Sequence, residues 1–150
     1  MKPKVSVIIP VYNCEKFIRK CCNSLFSQTL QELELIFVND CTPDDSVNII
    51  LHELESHPLR KSQVKIINHT INLGVTEARK TGIKNTTGSF LIHCDSDDWV
   101  DENMYEYMYE KAVKNNAQLV ICGYVSEYKN KSIIGYYPVD FEQNTFLKLD

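Results

Sequence analysis

The sequence predicts an α/β fold in which helices cover both faces of a mostly parallel sheet. Short runs rich in valine and isoleucine recur between residues 5 and 94, and such runs are typical of buried strands. Between them, apolar residues recur every three or four positions, which is typical of amphipathic helices. Strands that alternate with helices form right-handed βαβ units, and these units place helices on both sides of the sheet. The length of 150 residues suits one domain.

The individual elements follow from local signals along the chain. The first strand is a β-branched run that ends at Pro10, and an apolar stripe that starts at Phe17 marks the helix after it. Asp44 or Asp45 can cap the second helix, and Asn72-Leu73-Gly74 turns the chain into the third. In chain order we predict strand 5–9, helix 15–28, strand 33–38, helix 44–54, strand 64–67, helix 74–83, strand 89–94, helix 104–115, strand 119–122 and a hairpin of 125–128 with 133–137.

Composition and charge exclude several classes of protein. The net charge is −4, so nothing indicates a nucleic-acid partner, and acidic residues concentrate between Asp95 and Glu102. No apolar run approaches the ~20 residues that span a bilayer, and the N-terminus lacks the layout of a signal peptide, so we expect a cytoplasmic protein. The six cysteines show no Cys-x-x-Cys spacing, which favours reduced, packed thiols over a zinc site.

The most informative stretch runs from Phe90 to Trp99, where an apolar strand is followed by Asp95, Asp97 and Asp98. Open α/β sheets bind ligands at the carboxyl ends of their strands. Three carboxylates this close repel one another, and a shared cation is the simplest way to keep all of them ionised. The pattern therefore predicts a metal-dependent site for a phosphorylated ligand.

The histidines and the tryptophan are interpreted as structural residues. His93 lies within the apolar run and is expected to be a core histidine with its hydrogen bonds satisfied. His52, His57 and His69 are expected on the surface, and Trp99 is expected to pack beside the site.

Asp40 and Tyr12 provide a second part of the predicted site. Asp40 ends the second strand, and because parallel strands share a carboxyl edge it should lie along the same crevice as Asp95 and Asp97. A carboxylate accepts a hydrogen bond from an N–H of a base, and the ring of Tyr12 could stack on the face of the base.

No G-x-x-x-x-G-K-[ST] motif occurs, and Pro10-Val11-Tyr12-Asn13 stands where a G-x-G-x-x-G loop would follow the first strand. A metal or basic side chains must therefore offset a diphosphate, and Mg²⁺ or Mn²⁺ suits such an all-oxygen site.

Five stretches of the chain carry a more specific indication. They occur in one order between Val5 and Trp99. The stretches are Val5-Ser6-Val7-Ile8-Ile9-Pro10-Val11-Tyr12-Asn13, Ser27-Gln28-Thr29, Glu34-Leu35-Ile36-Phe37-Val38-Asn39-Asp40-Cys41-Thr42-Pro43-Asp44, Asn72-Leu73-Gly74 with Ala78-Arg79, and Asp95-Ser96-Asp97-Asp98 with its D-x-D motif. In content and order they resemble the family 2 glycosyltransferases. A single D-x-D motif is common by chance, whereas five motifs in the family's order are specific.

The resemblance implies a Rossmann-like GT-A fold, a nucleotide-diphosphate sugar as donor, in most cases a UDP-sugar, and Mn²⁺ or Mg²⁺ as cofactor. It also implies inverting transfer of the sugar to a hydroxyl of a carbohydrate or lipid-linked acceptor, in the synthesis of cell-surface polysaccharide or lipopolysaccharide. By the same resemblance, the nucleotide-binding residues are Pro10, Tyr12, Asp40, Arg79 and Asp95, and the metal ligand is Asp97.

The resemblance assigns these residues separate parts of the donor. Tyr12 would stack on the base, Asp40 would accept from its ring N–H, and Asp95 would contact the ribose. Asp97 would bind the metal that bridges the diphosphate. Arg79 would lie near the base or the diphosphate.

The sequence departs from the family's pattern in two respects. Cys41 stands where many relatives have glycine, which predicts a changed loop backbone. The chain also stops at Asp150, whereas the acceptor-binding half and the catalytic base usually lie further along in this family. We therefore interpret residues 1–150 as one GT-A domain, truncated to its donor-binding part, with the base beyond Asp150. Exposed apolar surface could pair two copies into a homodimer, and the enzyme would work at the inner face of the membrane.

Two alternative functions compete with this interpretation. A phosphotransfer domain with a Mg²⁺ pocket would place its key carboxylates directly after the first strand, where Pro10-Val11-Tyr12-Asn13 stands instead. A nucleotide-sugar-binding module without transferase activity would keep the donor site and lack the catalytic base. The second alternative stays open.

Overall fold

The computed structural model describes residues 2–135, and the chain divides into two compact units, residues 1–110 and 111–150. The elements in chain order are β1 (Val5–Val11), α1 (Ile18–Phe26), β2 (Leu33–Asn39), α2 (Ser46–Glu55), a 3₁₀ helix (Pro58–Gln63), β3 (Val64–Asn68), α3 (Val75–Lys84), β4 (Phe90–His93), α4 (Met104–Lys114), β5 (Tyr124–Tyr128) and β6 (Lys131–Gly135). In the first unit, parallel strands form one sheet in the order β3-β2-β1-β4. In the second unit, β5 and β6 form an antiparallel hairpin. The predicted α/β class is confirmed.

The sheet has two covered faces because successive side chains of a strand point to opposite sides. On one face, Val7, Ile9 and Phe37 belong to a buried cluster with apolar residues of α1 and α2. On the other face, Ile36 and Val38 pack with Ala78 of α3. Helices therefore lie on both faces, as the alternation of strands and helices predicts. Within residues 2–135 no helix combines the length and apolarity that a membrane crossing requires.

The start of the first helix and one predicted strand differ from the structure. The first helix begins at Ile18 and not at residue 15, because the backbone N–H groups of Phe17 and Ile18 both donate to the carbonyl of Cys14 in a preceding turn. Residues 119–122 form no strand, since an isolated strand needs a hydrogen-bonding neighbour and the strand pairing described in this unit is that of β5 with β6. The hairpin is confirmed up to Gly135, and its predicted end at 136–137 lies outside the described residues.

The fourth strand is more exposed than its apolar sequence predicts. Among the described residues β4 pairs with β1 alone and so forms an edge of the sheet. Leu91 is 49% exposed, and His93 is exposed as well. The prediction that His93 is a core histidine is therefore wrong. An apolar run shows that a strand can be covered, but it does not reveal which segment covers it.

The contact between α3 and β1 leads to a prediction about Gly82. A Cβ at this position would overlap Cγ2 of Ile8 and would lie 3.2 Å from its Cγ1. Ile8 is fully buried and β-branched, so it has little freedom to move away. We expect Gly82→Ala to lower the free energy of unfolding by about 1–3 kcal/mol through overpacking, although alanine favours a helix by up to ~1 kcal/mol.

Urea unfolding followed by circular dichroism measures this change. Lys84→Ala, at an exposed position of the same helix, is the matched control and should shift stability by less than about 0.5 kcal/mol. A Gly82→Ala variant as stable as the unmutated protein would contradict the close approach of α3 to β1.

Candidate functional site

A cavity of about 600 Å³ opens at the carboxyl edge of β1, β2 and β4. All six residues that the sequence assigns to nucleotide or metal binding line this one cavity: Pro10, Tyr12, Asp40, Arg79, Asp95 and Asp97. They come from four separate segments of the chain. The parallel sheet brings these segments together because its strands end at one edge.

Pro10 lies in a central strand, where a missing N–H is normally disfavoured. The backbone explains why it is tolerated. Ile8 faces β4, since its carbonyl accepts from the N–H of Cys94, and Pro10 two residues later faces the same side. The pairing of β1 with β4 ends at Ile8 and His93, so no carbonyl of β4 lies opposite Pro10. Its ring therefore borders the cavity without breaking a sheet hydrogen bond.

The turn after β1 presents Tyr12 to the cavity. The side chain of Tyr12 is 49% exposed, and Asn13 has a φ of 50°, a left-handed conformation that asparagine tolerates. The loop after β2 fixes this turn: Thr42 Oγ1 accepts from the backbone N–H of Asn13 at 2.8 Å, and Asp44 Oδ2 accepts from that of Glu15 at 2.9 Å.

Asp44 organises the loop after β2. Its Oδ1 accepts from the hydroxyl of Thr42 at 2.7 Å and from that of Ser46 at 2.6 Å. Burial alone would raise the pKa of Asp44, but hydrogen bonds from Ser46, Thr42 and the backbone of Glu15 outweigh burial and lower the pKa to about 2. Asp44 is therefore an ionised anchor that joins the loops after β1 and β2.

Cys41 lies between the site residue Asp40 and this anchor. Its φ of 57° falls in the left-handed region, which glycine adopts freely and cysteine adopts at some cost in energy. The backbone at this position is therefore of the kind that glycine favours, although a cysteine occupies it. Cys41 and Cys122 are exposed, so the expectation of packed thiols applies to the other four cysteines: Cys14, Cys21, Cys22 and Cys94.

Asp40 is buried in the wall of the cavity and is held by three groups. Oδ1 accepts from the backbone N–H of Leu73 at 2.9 Å and faces Nδ1 of His69 at 2.7 Å, while Oδ2 accepts from the backbone N–H of Gly74 at 2.7 Å. Burial would raise the pKa of Asp40, but these hydrogen bonds outweigh burial and hold the pKa below its ordinary value. Asp40 is thus an ionised acceptor that also fixes the turn into α3.

His69 supports the site from behind Asp40, and the sequence interpretation missed it. Its side chain is 10% exposed, so its expected place on the surface is wrong. Its Nε2 lies 2.9 Å from Oγ1 of Thr81. The sequence contains a signal for His69, because this residue directly follows β3. Asp40 is predicted as a site residue from the same kind of position, directly after a strand.

Arg79 and Asp95 form an ion pair in the lining of the cavity. Nη2 of Arg79 lies 2.6 Å from Oδ1 of Asp95, and the two side chains are 38% and 47% exposed. A pair this exposed contributes only about 0–1 kcal/mol, so a ligand can open it at little cost. Nε of Arg79 is buried and makes no hydrogen bond to the described residues.

The remaining acids fit a divalent cation that is bound only in part by protein. Among residues 2–135 no group of three or more His, Cys, Asp or Glu side chains is arranged to hold a metal. Mn²⁺ and Mg²⁺ nevertheless suit this site, since such ions commonly take one or two carboxylates and complete their shell with phosphates and water. Asp97 is exposed in the cavity, and partial burial together with the charges of Asp97 and Asp95 raises the pKa of Asp98. A cation relieves this kind of repulsion.

Residues of α1 and of the segment that follows it anchor the acidic loop. The backbone N–H of Val100 donates to Oγ of Ser24 at 3.3 Å, and Nε2 of Gln28 donates to the carbonyl of Asp101 at 2.7 Å. Nζ of Lys20 lies 2.9 Å from the centre of the Trp99 ring. Gln28 of the Ser27-Gln28-Thr29 motif therefore has a clear structural role, and Trp99 packs beside the site as expected.

The fold is that of a GT-A glycosyltransferase. The chain is similar to S. aureus TarS 1–349, solved in complex with UDP, with a TM-score of 0.68 and 28% identity over 75% of this chain and 33% of that one. It is also similar in fold to the mannosyltransferase PcManGT from Pyrobaculum calidifontis, solved with GDP-Man and Mn²⁺, with a TM-score of 0.60 and 24% identity over 66% of this chain and 29% of that one.

Sequence comparison identifies the family. The model of glycosyl transferase family 2 matches residues 6–147. The glycosyltransferase EpsJ of Bacillus subtilis strain 168 is 38% identical over 147 residues, which is 98% of this chain and 41% of EpsJ. The chain belongs to glycosyl transferase family 2, and the resemblance stated above is confirmed. The chain spans less than half the length of EpsJ and of either solved structure.

The anchoring role of Asp44 leads to a prediction with a defined pH dependence. We expect Asp44→Asn to lower the free energy of unfolding by about 1–2 kcal/mol at pH 7, because the amide lacks the charge that the hydrogen-bond donors around Asp44 stabilise. The folded-state pKa of about 2 lies below the unfolded value, so this stabilisation is present above about pH 4 and is lost as the pH falls towards 2.

Urea unfolding of both proteins between pH 7 and pH 3 tests this dependence. The difference between them should shrink at the acid end. Asp45→Asn, one residue along at an exposed position, serves as the control and should show no comparable trend. A constant difference across the whole pH range would contradict the assignment of the charge effect to Asp44.

Proposed function

We propose that the protein binds a nucleotide-diphosphate sugar, with UDP as the nucleotide, and that the enzyme transfers the sugar to an acceptor hydroxyl with inversion. One observation carries the proposal: residues suited to a base and residues suited to a metal diphosphate line the same cavity. The structures of TarS with UDP and with UDP-GlcNAc support UDP as the nucleotide.

The base end of the donor is assigned to Tyr12 and Asp40. The half-exposed ring of Tyr12 is available for stacking, because its turn is held by hydrogen bonds that leave the ring free. Asp40 is ionised and can accept a hydrogen bond from a ring N–H. Pro10 borders this end and excludes water from one side of the base.

The ribose and diphosphate are assigned to the opposite side of the cavity. Asp95 accepts from the ribose hydroxyls once its weak ion pair with Arg79 opens, and the released guanidinium then lies beside the donor. Asp97 is the residue that would hold Mn²⁺ or Mg²⁺. Such an ion, when bound, supplies Lewis-acid neutralisation of the charge that develops on the leaving diphosphate.

The acceptor side of the reaction requires a general base. In an inverting transfer the acceptor hydroxyl attacks the anomeric carbon opposite the diphosphate, and a carboxylate takes its proton. The carboxylates that line the cavity are already assigned to binding the sugar donor. Asp40 is hydrogen-bonded, Asp95 is paired with Arg79 and Asp97 is assigned to the metal. From the family resemblance, we propose that the base lies beyond residue 150.

The biological setting is proposed from the family. The acceptor is a carbohydrate or a lipid-linked sugar, in the synthesis of cell-surface polysaccharide or lipopolysaccharide. The protein would act in the cytoplasm at the inner face of the membrane, and two copies could associate through exposed apolar side chains.

The metal assignment is tested by calorimetry with UDP in the presence of Mn²⁺ or EDTA. We expect Asp97→Asn to abolish the part of the UDP affinity that depends on Mn²⁺, because the amide removes the charge that binds the cation. Thermal unfolding should be unchanged. Glu102→Gln removes an exposed acid outside the cavity lining and should leave Mn²⁺ dependence intact. Equal UDP affinity with Mn²⁺ and with EDTA in the unmutated protein would rule out the metal role.

The stacking assignment predicts a contrast between two substitutions at Tyr12. Tyr12→Ala should weaken UDP binding about tenfold, on the scale of base–aromatic stacking. Tyr12→Phe should bind UDP nearly as well as the unmutated protein, since stacking uses the ring and not the hydroxyl. Tyr107→Ala, which removes an exposed tyrosine of α4 outside the cavity lining, is the control. A loss of affinity as large in Tyr12→Phe as in Tyr12→Ala would contradict stacking.

A further inference from the structure

Three elements meet behind Asp40 through the ring of His69. Nδ1 of His69 lies 2.7 Å from Oδ1 of Asp40, and its Nε2 lies 2.9 Å from Oγ1 of Thr81 on α3. The backbone N–H of His69 donates to the carbonyl of Asn39 at 2.9 Å, which fixes the ring beside the end of β2. The imidazole therefore links the end of the strand that carries Asp40 to the helix that carries Arg79.

The partners of the ring indicate which of its nitrogens carries the proton. Asp40 is ionised, so its Oδ1 can only accept, and Nδ1 of His69 must carry a proton. In the neutral ring Nε2 is then an acceptor, and the hydroxyl of Thr81 can donate to it. In the neutral ring the hydrogen bonds therefore run from Thr81 through His69 to Asp40.

A count of lone pairs shows what this arrangement leaves for a ligand. Each carboxylate oxygen offers two acceptor directions. Oδ1 of Asp40 uses both, for His69 and Leu73, whereas Oδ2 uses one, for Gly74. Within residues 2–135 one acceptor direction of Oδ2 is left, on a side chain that lines the cavity. Uracil presents an N–H at ring position N3, and cytosine presents a lone pair there, so a single fixed acceptor favours uracil.

We propose that His69 is a positioning residue that sets the base selectivity of the site: by occupying Oδ1 of Asp40, it leaves one fixed acceptor for the base. The inference rests on the proposed function and deepens it. Without His69, Oδ1 gains a free acceptor direction and the carboxylate can turn about its Cβ–Cγ bond. A turned carboxylate can accept from the exocyclic amino group of cytosine, so the preference for uracil falls.

Calorimetric titration of the full chain with UDP and with CDP, both with Mn²⁺, tests this inference. The unmutated protein should prefer UDP. His69→Phe keeps the ring volume and removes both nitrogens, so it should weaken UDP binding about tenfold, the scale of a hydrogen bond to a charged group, and bring the ratio of UDP to CDP affinity close to one. His69→Asn should restore the preference, because its amide N–H can stand where Nδ1 stands. His52→Ala, an exposed histidine of α2, is the control.

The affinity ratio separates positioning from general support of the fold. If His69→Phe weakens UDP and CDP by the same factor, the selectivity role is overturned. If that variant does not fold by circular dichroism, Thr81→Val decides: a ratio about two- to threefold lower supports the chain of hydrogen bonds, and an unchanged ratio overturns it. If the unmutated protein binds neither nucleotide, both the proposed function and this inference are overturned. If the unmutated protein binds UDP but the variants keep the same ratio of UDP to CDP affinity, only the inference is overturned.

Discussion

The site depends on the register between β1 and β2. Val11 pairs with Asn39, and the backbone N–H of Asp40 donates to the carbonyl of Val11 at 3.0 Å. Both strands therefore end at the same level, and the next residues, Tyr12 and Asp40, leave the sheet side by side. A slip of one residue would turn every side chain of a strand to the opposite face of the sheet. The residues of one buried cluster would then point to the side of the other cluster. The alternation of side chains along each strand therefore determines both which residues pack in the two buried clusters and which side chains reach the cavity.

The carboxylates at this edge divide into two kinds by the number of donors around them. Asp40 and Asp44 accept from backbone N–H groups and hydroxyls, and these bonds hold the pKa of each below its ordinary value. Their charge joins loops that belong to different strands, and Asp40 in addition keeps one acceptor direction for the proposed base. Asp97 and Asp98 lie in an exposed loop, where partial burial of Asp98, together with the charges of Asp97 and Asp95, raises the pKa of Asp98. In the proposed function their charge is left for the cation.

Local patterns in the sequence predict the strands, the helices and most of the cavity. Tyr12, Asp40 and Asp95 each follow a strand, so periodicity and strand polarity are enough to bring them together. His69 also follows a strand, but its contact with Asp40 depends in addition on the pairing of Asn39 with Asn68, which sets it beside Asp40. Likewise, the exposure of β4 and the irregular residues 119–122 depend on which strand neighbours are present. An apolar run does not contain this information.

The packing of α3 links the core to the chemistry of the site. Three nearby residues of this helix each fix a different contact: Gly82 lies against Ile8 of β1, Thr81 reaches His69, and Arg79 pairs with Asp95. Because a helix moves as a rigid element, its distance from the sheet sets all three contacts together. A side chain at position 82 would push α3 away from β1 and would lengthen both polar contacts. The absence of a side chain at Gly82 therefore lets α3 lie close to β1, and this position of the helix also brings Thr81 and Arg79 to the site.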